Sequence, residues 1–376
     1  MQKPDKTNII LTGGHAATTA IAVIEELLRR GPKDHWSIYW VGAKTAVEGK
    51  NMPTLESEVF PKMGVAFMPI VAGRLQRRFS LYTIPSLLKV PFGFIHALYL
   101  IVKIKPKLIL SFGGFAAFPM VVVGRILGVP VIVHEQTIVA GRANRASAPF
   151  AKKILLSRKN SQVFFPKGKT TLTGNPIMTQ IAGIAPKDTP SDPPVIFVTG
   201  GSRGSQTINN TIGGILPKLL LSADVIHQTG PLDFDKFSEL KEKLPPEISK
   251  RYTVYDRVDP MQVDNLYREA DMVVARAGAN TVGEIIATKR PAILIPIPWT
   301  YLDEQTKNAE FAKSFGIARV LKEENLNAET LIVAIKETLR DWIKITTAVS
   351  GKLSPDKLAS QKVVDELEEA LGRVQA

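Results

Sequence analysis

Apolar and polar positions along the 376-residue chain repeat one figure: a short β-branched or aliphatic run, then glycine, then a stretch with helical spacing. In the first half the runs are "NIILTGG", "WSIYWVG", "KLILSFGG", "VPVIVHE", "KKILLS" and "TTLTGNP". In the second they are "PPVIFVTGG", "DVIHQTG", "RYTVYD", "DMVVARAG", "RPAILIPIP" and "IARVLK". Continuous apolar strands alternating with helices predict a parallel sheet covered on both faces, in an α/β fold.

The alternation runs through twice, so two doubly wound, Rossmann-like domains are expected. The break is placed after Gly174-Asn175-Pro176, ahead of the proline- and aspartate-rich "APKDTPSDPP". The domains are then 1–176 and 177–354, and the amphipathic last helix within 355–376 is expected to cross back to the first. Ligands of such sheets bind beyond the carboxyl ends of the strands, which places the active site in a cleft between the two domains.

Composition narrows this picture. The chain has no cysteine, which removes disulfides, thiol nucleophiles and cysteine metal sites. Apolar runs such as "FIHALYLIV" stop at charged residues well short of a membrane span, and the N-terminal apolar stretch reads as a first strand rather than a signal peptide. Residues 1–174 hold 24 Lys and Arg against 8 Asp and Glu, a net of +16, whereas the remainder is at −3. One half therefore meets something anionic: nucleic acid, an acidic lipid surface or a phosphorylated substrate. None of the familiar DNA or RNA motifs is present, which argues against nucleic acid.

Several loops carry candidate chemistry. "VTGGSRGSQ" sets Gly201, Ser202, Arg203 and Gly204 between a strand and a helix, where backbone N–H groups and the helix N-terminus can hold a diphosphate. Read alone it is either that or a plain turn. "ARAGANTVGE" repeats the arrangement, with Ala279, Asn280 and Thr281 opening a helix and Glu284 one turn in, placed to accept ribose hydroxyls or merely to end a helix. Glu304, Gln305 and Asn308 lie about one turn apart on a further helix, fit for sugar hydroxyls or for solvent.

In the first half, "LTGGHAATTA" (Thr12, Gly13, Gly14, His15), "SFGGFAAFP" (Gly113, Gly114) and "HEQTIVAGRANR" (His134, Glu135, Thr137, Asn144) each follow a strand. His134 and Glu135 are neighbours in a strand, so they point to opposite faces and do not form an acid–base pair. In the stretch 72–94, Arg74, Arg77 and Arg78 interleave with Leu75, Phe79, Leu81 and Tyr82. That mixture suits an anionic bilayer surface or a solvated helix with an inward apolar face.

The ordered set "TGGHAATTA", "SFGGFAAFP", "HEQTIVAGRANR", "GNP", "TGGSRGSQTIN", "HQTG", "ADMVVARAGANTVGE" and "DEQTKNA" resembles the MurG family, over about residues 8 to 320. The family's members are peripheral-membrane N-acetylglucosaminyltransferases that convert lipid I to lipid II. The resemblance implies the GT-B fold, with UDP-N-acetylglucosamine on the second domain and lipid I on the first. It implies a diphosphate contact at Gly201 and Ser202 and at Thr281, and a uracil pocket at Val258 and Met261. Glu284 would bind ribose, Gln305 and Asn308 the sugar, and Arg276 would support the same loop.

His15 aligns with a histidine proposed as the general base, and imidazole titrates near working pH. No cofactor and no metal is implied; Asp233-Phe234-Asp235 spells a metal-binding D-x-D but falls at an expected helix start. Implied partners are UDP-N-acetylglucosamine, lipid I, anionic inner-leaflet lipids and other cell-wall synthesis proteins, at the cytoplasmic face of the membrane. The chain departs from the family pattern at Thr45, Phe115, Thr137, Met178 and Glu304, mostly on the acceptor side. Competing readings are a glycolipid-forming UDP-sugar transferase, a non-hydrolysing epimerase and a nucleotide-sugar-binding scaffold without catalysis.

Overall fold

The structure is a computed structural model that describes residues 6–14, 16–31, 35–45, 53–71, 73 and 83–372, with backbone alone over 83–89. The chain divides into two compact units: Met1–Met178 together with Pro355–Ala376, and Thr179–Ser354.

The first unit holds a seven-stranded parallel sheet. Its strands are β1 (Thr7–Gly13), β2 (Trp36–Gly42), β3 (Ala66–Pro69), β4 (Leu108–Ser111), β5 (Val131–Glu135), β6 (Lys153–Leu156) and β7 (Thr170–Leu172), in spatial order β3-β2-β1-β4-β5-β6-β7. The central strands are buried along nearly their whole length, as "ILTG", "LILS" and "VIVHE" require once helices cover both faces. β3 has no counterpart among the expected strands. It is a four-residue edge strand, "AFMP", half exposed, and so has no apolar run to announce it.

The second unit holds a six-stranded parallel sheet of β8 (Val195–Thr199), β9 (Asp224–Gln228), β10 (Tyr252–Tyr255), β11 (Met272–Ala275), β12 (Ala292–Leu294) and β13 (Ala318–Val320). Its order is β10-β9-β8-β11-β12-β13. All six appear among the expected runs. In both sheets the strand order reverses beside the first strand, between β1 and β4 and between β8 and β11, the place where open α/β sheets bind ligands.

The helix Ala359–Ala370 packs in the first unit, against the helix Ala17–Arg30. Arg30 reaches Asp365 at 2.5 Å and Glu368 at 3.0 Å, and Lys153 pairs with Glu366 and Glu369.

Candidate functional site

Each switch point carries a pair of glycine-bearing loops. In the first unit the loops after β1 and β4 touch through their backbones: a β-carbon on Gly114 would lie 2.7 Å from the Cα and N of Gly14. Only paired glycines permit that approach. Gly113 is just as confined, since a β-carbon there would meet Asn144 Oδ1 at 2.5 Å. Thr12 is buried and donates to the Val41 carbonyl at 2.7 Å, which fixes the strand end.

Four polar residues of "HEQTIVAGRAN", His134, Glu135, Thr137 and Asn144, hydrogen-bond inside the unit. Buried Glu135 accepts from the Thr137 N–H and hydroxyl at 3.1 Å each, from the Gly141 N–H at 2.9 Å and from Asn144 Nδ2 at 2.9 Å. Burial nevertheless pushes its pKa up against those four donors. Asn144 Nδ2 also donates to the His134 carbonyl at 3.1 Å. His134 Nε2 donates to the Gly174 carbonyl at 3.1 Å, so its proton sits on that nitrogen; burial lowers the ring's pKa to about 4. His134, Glu135, Thr137 and Asn144 therefore shape the loop beside Gly113, and His134 and Glu135 are both buried.

His15 lies outside the described residues, as do Arg74, Leu75, Arg77, Arg78, Phe79, Leu81 and Tyr82. Just after His15, the Ala16 N–H, at the start of the helix Ala17–Arg30, donates to buried Glu56 at 3.0 Å. Sequence reasoning missed Glu56, because forty residues separate it from the helix it caps. Beside Asn144, a surface concavity of about 550 Å³ is lined by Arg142, Arg145, Pro149, Phe164 and Pro166 among others, with the Arg145 guanidinium 5.6 Å from the Phe164 ring centre.

In the second unit the loop after β8 is built for close backbone packing. Gly204 has φ +73° and a β-carbon on it would lie 1.8 Å from the Thr229 carbonyl oxygen; Gly230, at φ +79°, closes against the Arg203 carbonyl from the other side. Thr199 Oγ1 accepts from the Gly201 N–H at 2.9 Å and donates to Gln228 at 2.8 Å. Ser202 and Arg203 stand exposed at the tip, and Ser205 caps the helix Gln206–Leu219. Arg276, just after β11, reaches Ser205 at the end of this loop. Its Nε donates to Ser205 Oγ at 3.0 Å, and its Nη1 donates to the Ile295 carbonyl and pairs with Glu323 at 2.5 Å.

A buried polar network lies beneath the loop. Asn209 Nδ2 donates to the Thr229 carbonyl at 2.8 Å and to Asp233 at 2.7 Å, and its Oδ1 accepts from His227 Nε2 at 3.0 Å. His227 Nδ1 in turn accepts from the Tyr252 hydroxyl at 2.9 Å, and burial lowers the imidazole's pKa to about 3. Asp233 of the D-x-D is thus buried and committed to Asn209 at the start of the helix Phe234–Glu242. Among the described residues no three His, Asp or Glu side chains group as a metal site.

Beyond β11, Ala279, Asn280 and Thr281 form the half-buried first turn of the helix Ala279–Thr288. Half-buried Glu284 follows, accepting at 2.9 Å from the hydroxyl of buried Tyr267, and burial raises its pKa to about 7. Val258 precedes the 3-10 turn Pro260–Gln262, whose middle residue is the exposed Met261, and Asp259 Oδ1 accepts from the Met261 N–H. On the helix Glu304–Phe315, Asn308 is buried and donates to the Ala277 carbonyl at 3.1 Å, while Gln305 Oε1 accepts from the Ile297 N–H at 3.1 Å. Asn308 is a fastener between that helix and the glycine loop, and Gln305 pins the loop after β12.

Two family models match the chain: the glycosyltransferase family 28 N-terminal domain over residues 10–156 and its C-terminal domain over 195–363. The UDP-N-acetylglucosamine--N-acetylmuramyl-(pentapeptide) pyrophosphoryl-undecaprenol N-acetylglucosamine transferase of Geobacter sulfurreducens is 32% identical over 364 residues, 95% of each chain. A second transferase of that name, from Bacillus cereus, is 30% identical over 96% of this chain and 99% of its own. The chain belongs to the MurG family.

The crystal structure of Acinetobacter baumannii MurG matches with a TM-score of 0.70 at 23% identity, covering 96% of this chain and 99% of that one. A Staphylococcus aureus MnaA–UDP complex matches at 0.66 and 13%, covering 98% of each; at these identities the likeness is one of fold, the GT-B fold. The departures from the MurG pattern have physical places. Met178 is buried and Phe115 packs on the first unit's core. Thr45 bridges Pro53, Thr137 holds Glu135, and Glu304 opens its helix behind a left-handed Asp303.

Proposed function

We propose that this MurG-family chain transfers N-acetylglucosamine from UDP-N-acetylglucosamine to the C4 hydroxyl of the muramyl sugar of lipid I, forming lipid II at the cytoplasmic face of the membrane. The observation that carries the reading is the end-to-end identity of 32% with curated transferases of that name. The donor is assigned to the second unit: uracil against the backbone near Val258 and Met261, ribose on Glu284, diphosphate over Gly201, Ser202 and Thr281, and the sugar beside Gln305.

Transfer proceeds with inversion. As the bond to the diphosphate breaks, negative charge grows on the leaving phosphate, and backbone N–H groups at two helix N-termini stabilise it. His15 accepts the proton of the attacking hydroxyl. No metal is required: the helix termini supply the positive field, and Asp233, the first carboxylate of the D-x-D, is turned into the network with Asn209.

Membrane contact is assigned to the basic first unit. Along the helix Thr83–Ile104, Phe92, Ile95, Tyr99 and Val102 are 62%, 64%, 56% and 58% exposed at spacings of three and four, and so share one face. Lys103 lies over the Tyr99 ring, and the Arg142 and Arg145 concavity offers cations to anionic headgroups. Among the described residues no helix is long and apolar enough to cross a membrane.

The test is turnover of labelled UDP-N-acetylglucosamine with a short-chain lipid I analogue, with and without chelator. Disaccharide product and UDP release that depend on the acceptor and survive chelation are expected. Tight UDP binding without turnover, or turnover only with another lipid acceptor, would sink the reading.

A further inference from the structure

The donor half contains a buried hydroxyl that the reaction scheme above does not use. Tyr267 is 1% exposed, packs edge-on against Phe197 with ring centres 5.7 Å apart, and donates to Glu284 Oε2 at 2.9 Å. Its own backbone is anchored: the Tyr267 carbonyl accepts from Nε of Arg290, a buried guanidinium that also holds the Thr288 carbonyl at 2.9 Å. The tyrosine therefore cannot follow the carboxylate if it swings. Burial and the adjacent Glu284 charge hold its pKa well above the ordinary value, so it is a donor at every working pH.

A glutamate on a helix has three side-chain torsions, and a half-buried one is free to turn outward unless something holds it. Here the donated bond occupies one lone pair of Oε2 and leaves Oε1 for other donors. A vicinal diol needs two acceptor positions at fixed separation, which a carboxylate supplies only in one orientation. Tyr267 also sits in the helix Val263–Glu269, directly after the 3-10 turn Pro260–Gln262 that carries Met261. One segment of about a dozen residues thus faces the base on one side and fixes the sugar-reading carboxylate on the other.

We propose that Tyr267 is a positioning residue for the donor: its hydroxyl locks Glu284 in the orientation that accepts both ribose hydroxyls, and so sets selection for ribonucleotide over deoxyribonucleotide donors. This rests on the assignment of Glu284 to the ribose. It makes the phenol a determinant of nucleotide choice, a role that a merely space-filling ring would not have.

The experiment measures the affinity of the full-length protein for UDP and for 2′,3′-dideoxy-UDP, in the wild type, Y267F, E284Q and the double variant. The wild type should prefer UDP. Tyr267→Phe keeps the ring and removes only the hydroxyl. It should weaken UDP by about tenfold, the scale of a hydrogen bond to a charged group, and leave dideoxy-UDP within about twofold. In the E284Q background the same change should have little further effect on UDP. In turnover, KM for UDP-N-acetylglucosamine should rise while kcat at saturation stays near that of the wild type.

Equal weakening of both nucleotides by Y267F, or an unchanged UDP affinity, overturns the proposal. A wild type that binds UDP but does not distinguish the dideoxy form overturns the ribose assignment itself, and one that does not bind UDP overturns the donor reading. Thermal midpoints of all four proteins check the fold. Should Y267F be unstable, Tyr267→Met repeats the deletion with a flexible side chain, and loss of discrimination together with retained dideoxy-UDP binding decides in the same way.

Discussion

The Arg158 guanidinium grips the Asp356 carboxylate through two hydrogen bonds of 2.6 Å each, across 198 residues of sequence. The carboxylate is fully buried, and its Oδ1 also accepts from the Asn175 N–H at 2.7 Å. The returning C-terminal segment and the segment 174–178 at the end of the unit's first run of chain are thereby held at one point. Removing one partner strands a buried charge. Asp356→Ala should cost about 3–5 kcal/mol in urea unfolding of the first unit. Replacing both residues with apolar ones of similar volume should cost far less, because no orphan charge remains. A loss below about 1 kcal/mol in the single variant would show the pair to be solvated in solution.

Gly204 and Gly214 make a matched contrast. A β-carbon at Gly204 would collide with the Thr229 carbonyl, at a backbone angle that side chains avoid, whereas one at Gly214, inside the helix Gln206–Leu219, meets nothing within 4 Å. Gly204→Ala should displace the loop and raise the Kd for UDP at least tenfold. Gly214→Ala should leave binding unchanged and raise stability by about 0.4–1 kcal/mol, through loss of freedom in the unfolded chain. Calorimetric titration with UDP and thermal melts read both.

Two buried histidines make the fold sensitive to acid. His134, lowered to about 4, and His227, lowered to about 3, both chiefly by burial, stay neutral in the folded chain. In the unfolded chain they take up protons from about pH 6.5 downward. The unfolded state therefore binds more protons over that range, and stability is intact above about pH 6.5 and declines as pH falls toward 4. For His134 the gap corresponds to about 3 kcal/mol by pH 4. Glu284, raised to about 7, acts in the opposite sense: the folded chain holds its proton more tightly, so acidification from 7 to about 4.5 adds stability. The histidine contribution is isolated by comparing the wild type with His227→Gln. The wild type should lose more stability between pH 7 and pH 4 than the variant; parallel pH profiles would refute the assignment.

The strands were readable because a parallel sheet covered on both faces leaves a uniformly apolar run such as "DMVVARAG", and the helix-opening glycines mark where each run ends. β3 was not, since an exposed four-residue edge strand has neither length nor apolarity. For the candidate site, spacing marks the loops that follow strands but not what their polar groups do. Asn308 and Gln305 share a helix face suited to a sugar, yet Asn308 donates to Ala277 and Gln305 accepts from Ile297. Glu56 on the Ala16 N–H and Asp356 on Arg158 are contacts between distant segments, and no local period encodes them.

The exposed face of the helix Thr83–Ile104 yields the last expectation. Phe92, Ile95, Tyr99 and Val102 turn apolar surface outward on one side, with Lys103 beside them. If this face enters the boundary between headgroups and acyl chains, binding has an apolar part, set by the area withdrawn from water, and an electrostatic part, set by the basic first unit. The two parts respond differently to salt. Raising ionic strength from 0.05 to about 1 M shrinks the Debye length to about 3 Å and removes most of the electrostatic part alone. Ile95→Glu should therefore lower the partition coefficient on vesicles containing anionic lipid by about tenfold, and lower it on neutral vesicles as well, since roughly 1.5 kcal/mol or more of apolar burial is lost. Arg142→Ala with Arg145→Ala should lower binding on anionic vesicles only, and salt should abolish the difference. Co-sedimentation measures each partition. Wild-type binding by Ile95→Glu would place the membrane contact elsewhere on the unit.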